Sequence, residues 1–341
     1  RDIEKSANGK FSTTHSSMKP YRTTPQTEIS DSIVPMSDFV AYKLQKPKVF
    51  LNIAPLYNLY GNLNALKRPF MERCQLNETL GFLVDFSLMN KLNINYSLTE
   101  RFLTHSKYIY NYHDGFNFDE VWGFFTENQF YPYLLSFEQT FNINYTPAEF
   151  FCIEAGNGKQ FYGDGYRSLL QSDYSGNHPY IKIESEFLNF KYSCTWSRFG
   201  NPTYYNSYNI PKYNVTHYLD CRIGKHVNVG LFESVMSRKF MSFEFFNPVV
   251  FFRPIDYSLG SDNNVLMGAN FKVSFSQKNC IYAQFVLDDV IVGQLMNDIK
   301  HRISSSYTGL YGWFANKWGI QGGMKFFDMF KVKGLDCFVE G

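Results

Sequence analysis

The sequence predicts an all-β protein: an antiparallel, transmembrane β-barrel of the outer-membrane type, preceded by an extended N-terminal arm. Three observations carry this. Apolar residues recur at every second position through most of the 341 residues, the period of a strand with two unlike faces. Aromatic residues make up 19 % of the chain, with 35 Phe, 25 Tyr and 4 Trp. Such residues form strands and gather at membrane interfaces. Short polar turns also alternate with long polar or aromatic connections, the loop asymmetry of a membrane barrel.

Residues 1–48 stand apart. The stretch "SANGKFSTTHSSMKPYRTTPQTEISDSIVP" is rich in Ser, Thr and Pro and lacks periodicity, so an extended arm is expected there. The opening "RDIEKSANGK" carries no signal peptide, which leaves a mature chain or one never exported.

From Val49 to 341 the pattern is that of strands. In "FLNFKYSCTWS", Leu188, Phe190, Tyr192, Cys194 and Trp196 face one way, and Asn189, Lys191, Ser193, Thr195 and Ser197 the other. The same alternation runs through Phe82–Leu88 and Leu92–Leu98, Leu219–Ile223 and Val227–Leu231, and Met267–Phe275 and Ile281–Leu287. These are antiparallel hairpins with turns near Asn90, Asn189, Lys225 and Lys278. Long connections are expected at 102–132, 198–216 and 290–312. Alternation from Val49 gives about thirteen strands, and "LDCFVEG" stops in mid-pattern. An odd, unclosed set would leave an unpaired edge in lipid, so a chain incomplete at its C-terminus is expected.

A soluble β-sandwich or lipocalin-like barrel also alternates. This many strands, however, would enclose more space than side chains fill. With 33 basic and 31 acidic residues, a nucleic-acid duplex has no electrostatic support as a partner. No apolar run is long enough for a membrane-crossing helix. The six cysteines are scattered without a CxxC pair, and the seven histidines show neither HxH nor HExxH. Metal sites and cofactors are therefore not expected, and the cysteines read as small apolar fillers. No nucleophile elbow or other catalytic motif occurs, so no enzyme is expected.

The stretch "GNGKQFYGDGYRSLLQSD", residues 156 to 173, concentrates four glycines with charged residues. It fails as a phosphate loop, because Gly158-Lys159 is followed by Gln160 and Ile153 stands where the first glycine belongs. Its glycines permit a tight fold back into a barrel mouth. An Asp164–Arg167 pair would fasten it, and Lys159 would meet Glu154 or Asp173. As a saccharide contact it would use Tyr162 and Tyr166 as stacking faces with Asp164 and Arg167 as hydrogen-bond partners. As a constriction loop it would use the same residues internally. Arg253 and Asp256 flank Pro254 at a strand end or loop. Arg253 would bind an anionic sugar or a carboxylate of the 164 loop. Asp288 and Asp289, adjacent on a strand, point to opposite faces and cannot act as an acid/base pair.

The stretches "GNGKQFYGDGYRSLLQSDYSGNHPYIKIESEF" and "FNPVVFFRPIDYSLGSDNNVLMGANFKVSF", then "YAQFVLDD" and "WFANKWGIQGG", resemble Bacteroidetes outer-membrane proteins of the RemB gliding-motility type, related to the Wzi capsule-assembly family. The opening "RDIEKSANGKFSTTHSSMKPY" is similar to that family's arm. The resemblance implies a barrel of about eighteen strands, a periplasmic arm and extracellular long loops. It also implies a non-enzymatic cell-surface role: capsule polysaccharide attachment or assembly, or gliding motility and adhesion within a larger complex. The partners so implied are outer-membrane lipid, surface polysaccharide and other outer-membrane proteins. Alternatives from the residues are an outer-membrane channel for small solutes or saccharides and a soluble carbohydrate-binding β-protein. "DSI" at 31–33 is similar to the O-glycosylation sequon of Bacteroidetes, which marks Ser32.

Overall fold

The computed structural model describes residues 17–19, 41–63, 74–104, 118–119, 124–125, 128–130, 133–174, 176–199, 211–238, 245, 247, 263–276, 279–288, 292–304, 312 and 317–341. It is nearly all strand. The first half contains β1 (Met18–Lys19), β2 (Tyr42–Lys46), β3 (Val49–Leu63), β4 (Cys74–Leu88), β5 (Leu92–Thr104), β6 (Phe118–Asp119), β7 (Phe124–Phe125), β8 (Asn128–Phe130), β9 (Tyr133–Ala148) and β10 (Phe151–Gly158). The second half contains β11 (Phe161–Tyr162), β12 (His178–Phe187), β13 (Phe190–Phe199), β14 (Lys212–Ile223), β15 (Val227–Ser237), β16 (Asn264–Ser276), β17 (Asn279–Asp288), β18 (Lys317–Phe326) and β19 (Cys337–Glu340). Among the described residues one α-helix, α1 (Val292–Ile303), lies between β17 and β18, and a single 3-10 turn, Met329–Lys331, lies between β18 and β19.

Among the described residues fifteen strands form one antiparallel sheet. All but β8 lie on a single path in chain order from β2 to β19, and β8 pairs beside β9. The path from β3 onward follows the strands expected from Val49. Strand β2 adds one more, because Tyr42–Lys46 pairs with Val49–Ile53 inside the range 1–48 expected as arm. The two ends of the path, β2 and β19, run in opposite directions. Among the described residues no pairing joins them.

Turns and connections segregate as expected. The chain reverses tightly between β4 and β5, β9 and β10, β12 and β13, β14 and β15, and β16 and β17. All these turns fall at one end of the wall. The other end carries the long connections, including the one with α1, within a stretch expected as an irregular polar and aromatic segment; the exception is 327–336 between β18 and β19, which lies at the turn end.

The wall is inverted relative to a water-soluble protein. Along β12, His178, Tyr180, Lys182 and Glu184 are buried while Ile181 between them is 54 % exposed. Strands β16 and β17 repeat this. Phe271, Ile281 and Phe285 are exposed, whereas Asn270, Lys272, Ser274 and Gln284 are buried. Apolar side chains out and polar side chains in is the pattern of a barrel whose outer wall meets lipid and whose inside is wet. In one place the chain covers its own outer wall. Val215, Val235, Val265 and Cys194 are packed under Phe245 of the β15–β16 connection, whose carbonyl accepts from Trp196 Nε1 at 3.1 Å. Cys152 and Cys280 are also buried, as small fillers.

The inverted wall makes a sharp prediction. Ile181→Arg should cost about 2–4 kcal/mol of unfolding free energy in lipid vesicles. The same change at an exposed site of a soluble protein stays within about 0.5 kcal/mol, and urea titration of the reconstituted variant decides between the two.

Candidate functional site

The segment between β10 and β12 does not extend away from the barrel; it folds into it. Strand β11 pairs with β1, Met18 opposite Tyr162 and Lys19 opposite Phe161. Gly163 N donates to Ser17 O at 2.7 Å, and Tyr162 N to Gln171 O at 3.0 Å. The described part of the arm, residues 17–19, is therefore lodged within the barrel against this segment. The remainder of the arm up to residue 40, Ser32 included, lies outside the described residues.

An apolar seam holds the segment to the wall. Met18, Tyr162 and Leu170 pack on inward-facing Tyr218, Phe232 and Val286. The Tyr162 ring stacks on Tyr218 at 5.2 Å between centroids. Its hydroxyl lies 2.7 Å from Thr195 Oγ1 and 3.0 Å from Ser193 Oγ, and burial holds the phenol above its ordinary pKa, so it stays neutral. Two glycines make the fit. Gly163 has φ 122°, and a Cβ there would meet Gln284 Nε2 at 1.9 Å. At Gly268, a Cβ would meet Leu170 Cδ2 at 2.4 Å.

Polar fastenings then follow along the loop. Asp164 N donates to Asn270 Oδ1 at 3.1 Å, and Asn270 Nδ2 returns a bond to Asp164 Oδ2 at 2.7 Å. Lys272 Nζ is 3.4 Å from Asp164 Oδ1, both side chains being buried. Burial alone would push the Asp164 carboxyl up; Lys272, Lys325 and Asn270 outweigh it and hold it below its ordinary 3.8. Leu169 N donates to Gln284 Oε1 at 2.9 Å, and Arg167 O accepts from Gln321 Nε2 at 2.9 Å. Tyr166 N donates to Glu340 Oε2 at 2.8 Å, which also accepts from Tyr282 OH at 2.5 Å. On the return, Asn177 Nδ2 reaches Glu138 Oε1 of β9 at 3.2 Å. One loop thus touches strands from β9 round to β19, so the sheet curls around it.

Beneath lies a second buried cluster. Lys182 Nζ sits 3.0 Å from Glu154 and 3.3 Å from Glu184, with Lys191 on the far side of Glu184 at 3.5 Å. Glu154 Oε1 also accepts from Tyr180 OH at 2.5 Å and Asn142 Nδ2 at 2.6 Å. Lys182 donates to Gln160 Oε1 at 3.3 Å, which ties the root of the loop to the wall.

Two expected pairings are corrected. Asp164 pairs with Lys272, and Arg167 instead pairs with Asp173 at 3.3 Å. Lys159, half-buried, takes neither Glu154 nor Asp173; Lys182 and Arg167 hold those carboxylates. Tyr162 has both faces enclosed, whereas Tyr166 is 74 % exposed. The Arg167 guanidinium lies 5.2 Å from the Tyr166 ring and 5.0 Å from the Tyr174 ring. That exposed Tyr–Arg–Tyr tip is the part of the stretch open to a ligand. Arg253, Asp256 and Asp289 lie outside the described residues, while Asp288 meets Lys317 at 3.8 Å on a strand end. Asn270, Lys272, Gln284, Gln321 and Glu340 were not foreseen. Their signal is their polarity at inward-facing positions of otherwise apolar strands. No group of His, Cys, Asp and Glu able to hold a metal occurs among the described residues.

No family model matches the chain, and no curated protein does. Among solved structures, it is similar to Pseudomonas aeruginosa OccK11 (OpdR), with 11 % identity, TM-score 0.44, and 87 % of this chain and 72 % of that one covered. It is also similar to the outer membrane channel DcaP of Acinetobacter baumannii, with 11 % identity, TM-score 0.35 and coverage of 87 % and 91 %. A third similar structure is Salmonella typhi OmpF in complex with daunomycin, with 9 % identity, TM-score 0.37 and coverage of 88 % and 91 %. The likeness to the RemB and Wzi types stays with the sequence motifs that carry it.

The depressed pKa of Asp164 fixes the pH response of the loop. Its contribution is complete above 3.8 and is lost as pH falls through the lower, folded value. Digestion within residues 163–170 by an acid-active protease should therefore be flat as pH falls to 3.8 and rise below it. Asp164→Asn, which costs about 3 kcal/mol of loop attachment by stripping the charge from Lys272, should make digestion fast throughout.

Proposed function

We propose that the protein is a non-enzymatic outer-membrane channel, narrowed by the segment 159–177, that passes or holds small polar solutes such as saccharides. The carrying observation is the asymmetry of the lumen. The segment is fastened mainly to β13–β19, and the wall across from it, from β3 to β9, presents amides, hydroxyls and a few charges. There Asp85 accepts from Asn52 at 3.3 Å and Asn95 at 2.8 Å, Ser97 meets Thr140 at 2.5 Å, and Arg101 pairs with Glu138. A polar wall facing a loop tip that offers Tyr166, Arg167 and Tyr174 is suited to a hydroxyl-rich solute. Such a solute stacks its apolar face and donates and accepts at its rim. The outer-membrane setting follows from the apolar outer wall, since closed sheets and helices are the structures that satisfy their backbone within lipid.

Capsule attachment or gliding motility, with surface polysaccharide or other outer-membrane proteins as partners, is the second reading. The motif at 156–187 favours it by resemblance. Yet most of that motif is engaged in internal anchors, and much of the motif at 246–275 lies outside the described residues. A soluble carbohydrate-binding protein is disfavoured by the exposed apolar band on the outer wall.

Planar-bilayer recording tests the channel. The unmodified protein should give a small conductance, and excision of 164–174 should raise it severalfold; a large, steady conductance at the outset sinks the constriction. Tyr166→Ala and Tyr174→Ala should each weaken block by maltooligosaccharides by about 1 kcal/mol, roughly fivefold in Kd.

A further inference from the structure

Helix α1 carries the same inversion as the strands. At 3.6 residues per turn, Met296, Ile299 and Ile303 fall in one narrow stripe, and all three are exposed, Ile303 at 82 %. Lys300 borders that stripe on one side and Arg302 on the other, both exposed. The back of the helix is polar and half-buried, formed by Asn297, Asp298 and His301, and Asp298 Oδ1 accepts from Gly312 N at 2.6 Å. A surface helix of a water-soluble protein does the opposite, with its apolar stripe turned in and its polar face turned out.

What lies against this face can be argued from charge and place. The first turn of α1 has no acidic residue, and its last turn is Lys300, His301 and Arg302. The helix starts just beyond β17, at the long-connection end of the wall. The next strand opens with outward-facing Trp318 and Ile320, both exposed. The helix thus connects two strands, β17 and β18, that turn apolar side chains, Phe285, Trp318 and Ile320, outward. Apolar side chains flanked by cations are the composition of a helix lying in a membrane interface.

We propose that α1 lies on the leaflet at the long-connection end, with Met296, Ile299 and Ile303 among the acyl chains and Lys300 and Arg302 on anionic, phosphate-bearing headgroups. This rests on the outer-membrane reading. The helix then acts as a float that fixes how deep the barrel sits and how its rim meets the lipid.

The test is hydrogen exchange of the amides of 292–303 in the full chain. The chain is reconstituted in vesicles of phosphatidylcholine alone and of phosphatidylcholine with about a third phosphatidylglycerol. Exchange should be slower in the anionic vesicles, and added salt should remove the difference. Lys300→Glu and Arg302→Glu should each erase roughly fivefold of the protection, and Ile299→Asp should abolish it in both lipids. Equal exchange in both vesicles and in detergent overturns the proposal, as does protection indifferent to salt in the unmodified protein, a readout that needs no variant to fold. Vesicle flotation after an alkaline wash separates the two levels of failure. A chain that floats with an unprotected helix overturns the helix placement alone, whereas a chain that does not float overturns the outer-membrane reading and this proposal together.

Discussion

In a bilayer no water is at hand for the peptide groups, and a strand can satisfy them only through neighbours on both sides. That constraint organises everything else in this chain. It sets the long antiparallel path from β2 to β19, and because side chains alternate across each strand, it divides the sequence between two media. Ile181 and Lys182 are adjacent in the chain, and one is exposed while the other is among the most enclosed cations in the structure.

The inward set then has its own requirement. Charges enclosed in a barrel are costly unless paired, and the segment 159–177 supplies some of the partners. Asp164 comes to Lys272, and Gln160 comes to Lys182. The ion pairs do not explain why the loop stays, since desolvation offsets much of their attraction. The apolar seam of Met18, Tyr162, Leu170, Tyr218 and Phe232 is the better source of adhesion, because each buried large side chain is worth about 1.5–3 kcal/mol. The pairs select the register: sliding the loop by one residue would place Gly163 or Gly165 where the Asp164 carboxylate meets Lys272.

Much of the wall was legible in the sequence. Alternation in "FLNFKYSCTWS" gives the two faces of β13 directly, and Asn90, Asn189 and Gly224 mark three of the tight turns. Strand β2 was not legible. "YKLQK" has little apolar alternation and is followed by Pro47, and only its pairing to β3 makes it a strand. The glycine-rich stretch was readable as an inward fold, but its partners were not. Arg167 and Asp173 are six residues apart, whereas Asp164 finds Asn270 across 106 residues. Sequence spacing ranks Arg167 as the partner of Asp164, and topology overrides it. Helix α1 was missed because its apolar positions number few and its cations make it read as an irregular polar connection.

The separation between Tyr166 and Glu340, 174 residues, has a bearing on how the molecule is built. The loop emerges between β10 and β12, before any of the strands that fasten its tip has been laid down, and Glu340 belongs to the last of them. A growing sheet must carry this loop unfastened while β16 to β19 are added, and contacts of such long range make for slow closure. Curling the sheet and seating the loop are therefore coupled: β16 to β19 gain their inward partners only as they wrap onto the loop.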